Sequence, residues 1–267
     1  MRGSARLLII GVAAVLVVLA QSCRLQPDPV DEPVQPTAPA LDAEPQSAPA
    51  AAPPANRLLP DLQVLEPSGL YLVDERASGG DRRLKFATTV WNAGPGPLEV
   101  QGRDDPVTGE LTAVQVFHTS DGDVAEGDPV GLFEYEHRHG HLHLAALARY
   151  ELWSVAPDGA LLELVAANEK VGFCLMDNLV VDEALVDDAR TPYPPDCEGD
   201  VQGISPGFGD IYVAELFEQD LVLDDLRDGR YALINVANAE ERIEEARTDN
   251  NTSLAYVRIS GDLVWRE

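Results

Sequence analysis

The chain has 267 residues with 46 acidic and 19 basic side chains, a formal net charge of −27. That excess excludes a nucleic-acid partner, because a phosphate backbone is bound by a basic surface. The same acidity keeps a protein soluble and steers cationic molecules such as amines toward it. Only Lys85 and Lys170 among the basic residues are lysines. Arginine stays protonated and cannot act as an amine nucleophile, whereas lysine can, so both positions matter to any chemistry.

The first elements in chain order are not part of the fold. Arg2 and Arg6 precede an apolar run, Leu7 to Ala20, too short to span a bilayer comfortably. The run ends in Leu19-Ala20-Gln21-Ser22-Cys23, which resembles a bacterial lipoprotein box. Residues 1–22 are therefore expected to be a signal peptide, with Cys23 acylated and holding the protein to a membrane of the bacterial cell envelope. That places it at the outer membrane, periplasm or cell surface. Residues 23–57, rich in Pro, Ala and acidic side chains, form an extended, disordered tether that cannot bury enough apolar surface to fold.

From residue 58 to 267 the pattern is strand, turn, strand. Leu84, Phe86, Thr88 and Val90 alternate with Lys85, Ala87, Thr89 and Trp91, the period of a strand. Asn92-Ala93-Gly94-Pro95-Gly96-Pro97 makes a turn, and Leu98-Glu99-Val100 opens the next strand. Further strands are predicted over Ala113–His118, Val130–Tyr135, Leu142–Trp153, Leu161–Val165, Ile211–Leu216, Tyr231–Val236 and Leu254–Ile259. Glu240–Ala246 is the one candidate short helix. The expected fold is all-β, a β-sandwich-like single domain with long loops. With Cys23 set aside, Cys174 and Cys197 most simply form a disulfide in an exported domain; no C-x-x-C spacing supports the alternative of a metal role.

Four of the five histidines, His137, His139, His141 and His143, occupy alternate positions. On a strand all four would line one face at about 6.6 Å spacing, so three could converge on one ion if the strand bends. Four would span about 20 Å, too far for one ion. Neutral imidazoles without a cysteine or carboxylate cluster suit copper or zinc, and the residues alone leave that choice open.

The stretch Glu136-His137-Arg138-His139-Gly140-His141-Leu142-His143, followed by Ala148-Arg149-Tyr150-Glu151-Leu152, resembles the copper motif of the lysyl oxidase family. Three further matches follow in the family's order. They are Lys170-Val171-Gly172-Phe173-Cys174-Leu175-Met176-Asp177, Gly203-Ile204-Ser205-Pro206-Gly207 with Asp210-Ile211-Tyr212, and Thr248-Asp249-Asn250-Asn251. The resemblance implies that His139, His141 and His143 bind copper, leaving His137 nearby or exposed. It also implies that Lys170 and Tyr212 form lysine tyrosylquinone, and that Cys174 and Cys197 pair. The implied activity is oxidative deamination of primary amines, free or on lysine-containing proteins, by dioxygen to aldehyde, ammonia and hydrogen peroxide. Asp210 and Asp177 are equally placed candidates for the catalytic base. The chain departs from the animal enzymes in having one disulfide at most, with Phe208 where they have a cysteine. The competing expectation is a non-catalytic exported β-sandwich that binds copper or zinc and never makes the quinone.

Overall fold

Strand β4, Arg82–Asn92, shows how the sequence becomes the fold. Leu84 and Phe86 are fully buried while Lys85 and Ala87 are less so, the outcome of period-two alternation on a sheet with one covered face. From Thr88 to Val90 every residue is buried. The computed structural model describes residues 56–194, 197, 199–216, 219–223 and 226–267. The signal peptide, Cys23 and nearly all of the tether lie outside the described residues.

Before β4 come β1 (Arg57–Leu58), β2 (Leu62–Val64) and β3 (Ser68–Asp74); after it come β5 (Leu98–Asp104), β6 (Leu111–Thr119), β7 (Val124–Glu136), β8 (His141–Val155) and β9 (Leu161–Phe173). The rest are β10 (Leu179–Val180), β11 (Val201–Ile204), β12 (Phe208–Tyr212), β13 (Asp220–Val222), β14 (Gly229–Ala237), β15 (Thr252–Ser260) and β16 (Leu263–Arg266). A 10-stranded sheet runs β11-β5-β6-β7-β8-β14-β15-β16, with β1 beside β6 and β9 beside β8. A 6-stranded sheet runs β10-β12-β4-β13, with β2 and β3 also on β4. The strand pairings are antiparallel, and the described residues form one domain, all-β as expected.

The two sheets enclose one core. Phe86 of the smaller sheet meets Tyr150 of the larger edge-on, centroids 5.0 Å apart, and Leu144, Leu152, Phe173, Leu233 and Val257 pack around them. The predicted turn after β4 is held by the fully buried Asn92. Its Nδ2 donates to Gly96 O and Ile204 O, and its Oδ1 accepts from the backbone of Asp61 and Gly94. Four satisfied bonds make a buried amide tolerable.

Two local expectations are corrected. Strand β12 covers Phe208–Tyr212, so the predicted strand Ile211–Leu216 breaks after Tyr212, where pairing with Thr88 ends and a turn closes from Leu216 N to Val213 O. Glu240–Ala246 is not a helix. Asn238 and Glu241 adopt left-handed backbone (φ 46° and 52°), and the Asn238 side chain takes the Ile243 N–H and C=O that a helix would have used. The Asn250-Asn251 turn then ties this loop down: Asn250 Nδ2 donates to Asp61 Oδ1 and Asn251 Nδ2 to Glu245 Oε1.

A polar seam runs through the apolar sandwich. Asn235 Nδ2 donates to Thr88 Oγ1 at 3.0 Å, and the Tyr150 hydroxyl donates to Gln219 Oε1 at 2.6 Å. Asp210, fully buried on β12, accepts from Asn178 Nδ2 with Oδ1, while Oδ2 has no hydrogen-bond partner among the described residues. Burial pushes this carboxyl well above the usual range, which favours its protonated form. Asp177 differs: its two oxygens accept the backbone N–H groups of Ser205 and Tyr193, which makes it a loop clamp.

A folded-state pKa above the unfolded one makes Asp210's contribution complete below the ordinary carboxylate range and progressively lost as pH rises toward the folded value. Asp210→Asn cannot ionise and can keep the bond from Asn178. Its melting temperature should therefore gain on the wild type between about pH 4 and about pH 8. Thermal melts at the two pH values check this; an unchanged gap would mean that Asp210 is charged in the fold.

Candidate metal centre

The histidine run does not lie on one strand. Strand β7 ends at Glu136 and β8 begins at His141, with residues 137–140 forming the hairpin turn between them. Gly140 adopts φ 80°, a left-handed conformation that glycine takes without strain, and its N–H returns to Glu136 O at 2.7 Å. The expectation that all four rings share a strand face is thus overturned. His141 and His143 do share a face of β8, while His139 reaches the same point from the turn. His137 turns away, exposed, with its ring edge-on to Tyr135 at 5.1 Å.

The geometry brings together the three histidines that the sequence singled out. His139 Nδ1 lies 3.2 Å from His143 Nε2, and His141 Nε2 lies 3.1 Å from the same atom. One nitrogen from each ring falls within 4.8 Å of the others. Two nitrogens each about 2.0–2.1 Å from one ion, at an angle of about 100°, stand about 3.1 Å apart, so the spacing fits a shared metal. Burial, then the neighbouring His139 and His141, depresses His143 to about 4; burial and His139 lower His141 as well. Both rings are neutral at neutral pH, the state that leaves a nitrogen lone pair for a metal.

Room for this cluster comes from strand β9. A Cβ on Gly172 would sit 3.3 Å from His143 Cβ and 3.4 Å from Leu144 O, so the glycine lets β9 pass close behind the histidine. Tyr212 lies on the other side. It is 4% exposed and meets the His143 ring edge-on, centroids 6.4 Å apart. Phe173 packs against it at 4.2 Å, and its hydroxyl accepts the Cys174 backbone N–H at 2.5 Å. Burial, with Asp210 second, raises the phenol well above its ordinary value. Cys174 is joined to Cys197 by a disulfide. Lys170 lies on β9, four residues before Cys174, beside Val171, which pairs with Ala148.

A cleft of about 340 Å³ opens beside the cluster, lined by Glu136, His139, His143, Asn168, Gly172, Gln219, Asp220 and Arg83. A smaller one, about 160 Å³, lies across His143 and is lined by Glu134, Tyr135, Glu136 and Gly172. Sequence reasoning missed most of this wall. Asp220, 5% exposed, receives Lys85 Nζ at 2.7 Å and Arg83 Nη1 at 2.8 Å, and its backbone O accepts from Asn168 Nδ2. The rarity of lysine flagged Lys85, but nothing in the sequence paired it with Asp220, 135 positions away.

Three imidazole nitrogens converging at the mouth of a cleft, with a buried phenol behind one of them, can hold a transition metal and expose it to a small molecule. Residues 113–267, more than half of the chain, match the family model described as Lysyl oxidase, and this span contains the histidines, Lys170, both cysteines and Tyr212. No curated protein sequence matches the chain significantly. The match brings with it an oxidoreductase of the amine oxidase kind. The chain belongs to the lysyl oxidase family.

Proposed function

We propose that this protein is an exported, copper-dependent amine oxidase that oxidises primary amines, on proteins or as small molecules, with a quinone made from Lys170 and Tyr212. The observation that carries the reading is the convergence of His139, His141 and His143 at 3.1–3.2 Å beside the buried Tyr212. In the wider reading residues 1–22 direct export, Cys23 carries a lipid, residues 23–57 are the spacer and 58–267 the catalytic domain. Copper and dioxygen supply the oxidising equivalents, so that amine, dioxygen and water become aldehyde, ammonia and hydrogen peroxide.

The chain's own residues prepare that chemistry. The three imidazoles offer ring nitrogens, and burial of His143 keeps protons from competing for its own. Phe173 and the Cys174 N–H fix the plane and hydroxyl of Tyr212. Lys170 supplies a primary amine whose lone pair can bond to a ring carbon, which arginine in its place could not do. Lys85 is the contrast: its ammonium is engaged with Asp220 and Leu216 O and serves the fold. The net charge of −27 draws cationic amines toward the cleft.

Purified apo-protein given copper in air should develop quinone absorbance and a covalent link between the peptides holding Lys170 and Tyr212, visible by mass spectrometry. It should then release peroxide when a primary amine is added. Lys170→Arg should bring all three signals to background while Lys85→Arg, which preserves the ion pair, keeps them. Copper binding without quinone in the wild type would leave a non-catalytic metal-binding module. Zinc in place of copper would point to a structural site.

Gly172→Val is a second check. Its side chain overpacks the back of His143, a perturbation of about 1–3 kcal/mol, so copper affinity measured by competition with a chelator should fall about 10- to 100-fold. Wild-type affinity in that variant would show that β9 does not position the histidine.

A further inference from the structure

The two residues assigned to the cofactor sit on different sheets. Lys170 is on β9 of the larger sheet and Tyr212 on β12 of the smaller. Before any covalent link exists, their relative placement depends on non-covalent contacts across the sandwich. The closest of these is the Cys174 N–H, which donates to the Tyr212 hydroxyl at 2.5 Å; the hydroxyl in turn lies 3.4 Å from Cys174 O. Phe173, stacked on the same ring, is the last residue of β9. Cys174 therefore lies just past the point where the strand ladder holds the chain.

What holds Cys174 in place is its bridge to Cys197. Both cysteines are buried, 0% and 3% exposed, and their Cα atoms are 5.8 Å apart. Cys197 is in the left-handed region at φ 45°, a conformation that a non-glycine residue keeps only where its surroundings impose it. Next to Cys174, Leu175 N donates to the side chain of Gln202 on β11, whose amide reaches Leu142 O between two of the histidines. The disulfide is thus the covalent anchor of the segment that carries Lys170, clamps Tyr212 and backs the metal cluster.

We infer that the Cys174–Cys197 bridge is a positioning element for making the cofactor and is dispensable for using it. The inference rests on the assignment of Lys170 and Tyr212. On that assignment amine and ring must meet before the link forms, and the bridge steadies the end of β9 that clamps the ring; afterwards the new covalent bond holds the two together itself. A chain whose two cysteines are still thiols would bind copper and fail to mature. An error of about 1 Å in such a juxtaposition is enough to slow a reaction about 100-fold.

The test compares purified full-length wild type with Cys174→Ser/Cys197→Ser. Copper(II) is added to both apo-proteins in air, quinone is counted over time with phenylhydrazine, and peroxide production from n-butylamine is expressed per quinone. Circular dichroism and copper stoichiometry should match the wild type. Quinone formation should slow at least about tenfold, the lower end of that positional effect, while kcat per quinone stays within about twofold. Maturation at the wild-type rate overturns the inference, as does a loss of kcat per quinone in the same proportion, the mark of a merely structural bridge. Should the serine pair melt below the assay temperature, Cys174→Ala/Cys197→Ala is read in the same way. Absence of quinone in oxidised wild type instead overturns the assignment of Lys170 and Tyr212.

Discussion

Three imidazole nitrogens facing one another across 3.1–3.2 Å are the constraint that organises this molecule. Neutral rings so placed cannot all satisfy one another, because each shared contact needs one donor and one acceptor. Protonated rings would repel. An ion among the nitrogens could satisfy all three, and the fold builds the arrangement by burying His143 and turning the hairpin through Gly140. The same demand reaches β9, where any side chain at 172 would press on His143.

A metal on the hairpin of the larger sheet and a phenol on a strand of the smaller could only meet at the seam between them. The sandwich supplies that seam. Phe173, at the end of β9, turns its ring onto Tyr212, and Tyr212 meets His143 edge-on. Residues that would weaken an ordinary core accumulate nearby: Thr88, Asn235, Gln219 and Asp210. A protonated carboxyl costs a core far less than a charged one. Asp177 accepts two backbone N–H groups, whereas Asp210 keeps one oxygen without a hydrogen-bond partner among the described residues.

Much of this was legible in the residues. Alternation located β4, β6, β8, β14 and β15, because a sheet with one covered face writes its burial pattern directly into the chain. The histidine spacing pointed to the three rings that converge and missed how they meet. A period of two reads identically through a strand and through the tight turn that ends it, and Gly140 was the one residue that marked the difference. The helix expected over 240–246 failed because Asn238, a residue outside that window, captures its backbone groups. Lys85 stood out only by its rarity; its partner Asp220 is set by the register of β13 on β4, which no local pattern encodes.

Asp220 shows how one buried carboxylate can tie together distant parts of the cleft wall. Asp220 binds Lys85 and Arg83 through its carboxylate and, through Asn168, the strand that carries Lys170 two residues further on. Asp220 and Asp81 together balance Lys85 and Arg83, so the charges on that side of the cleft are paired off within the fold, while Glu134 and Glu136 line the pocket on the other side of His143.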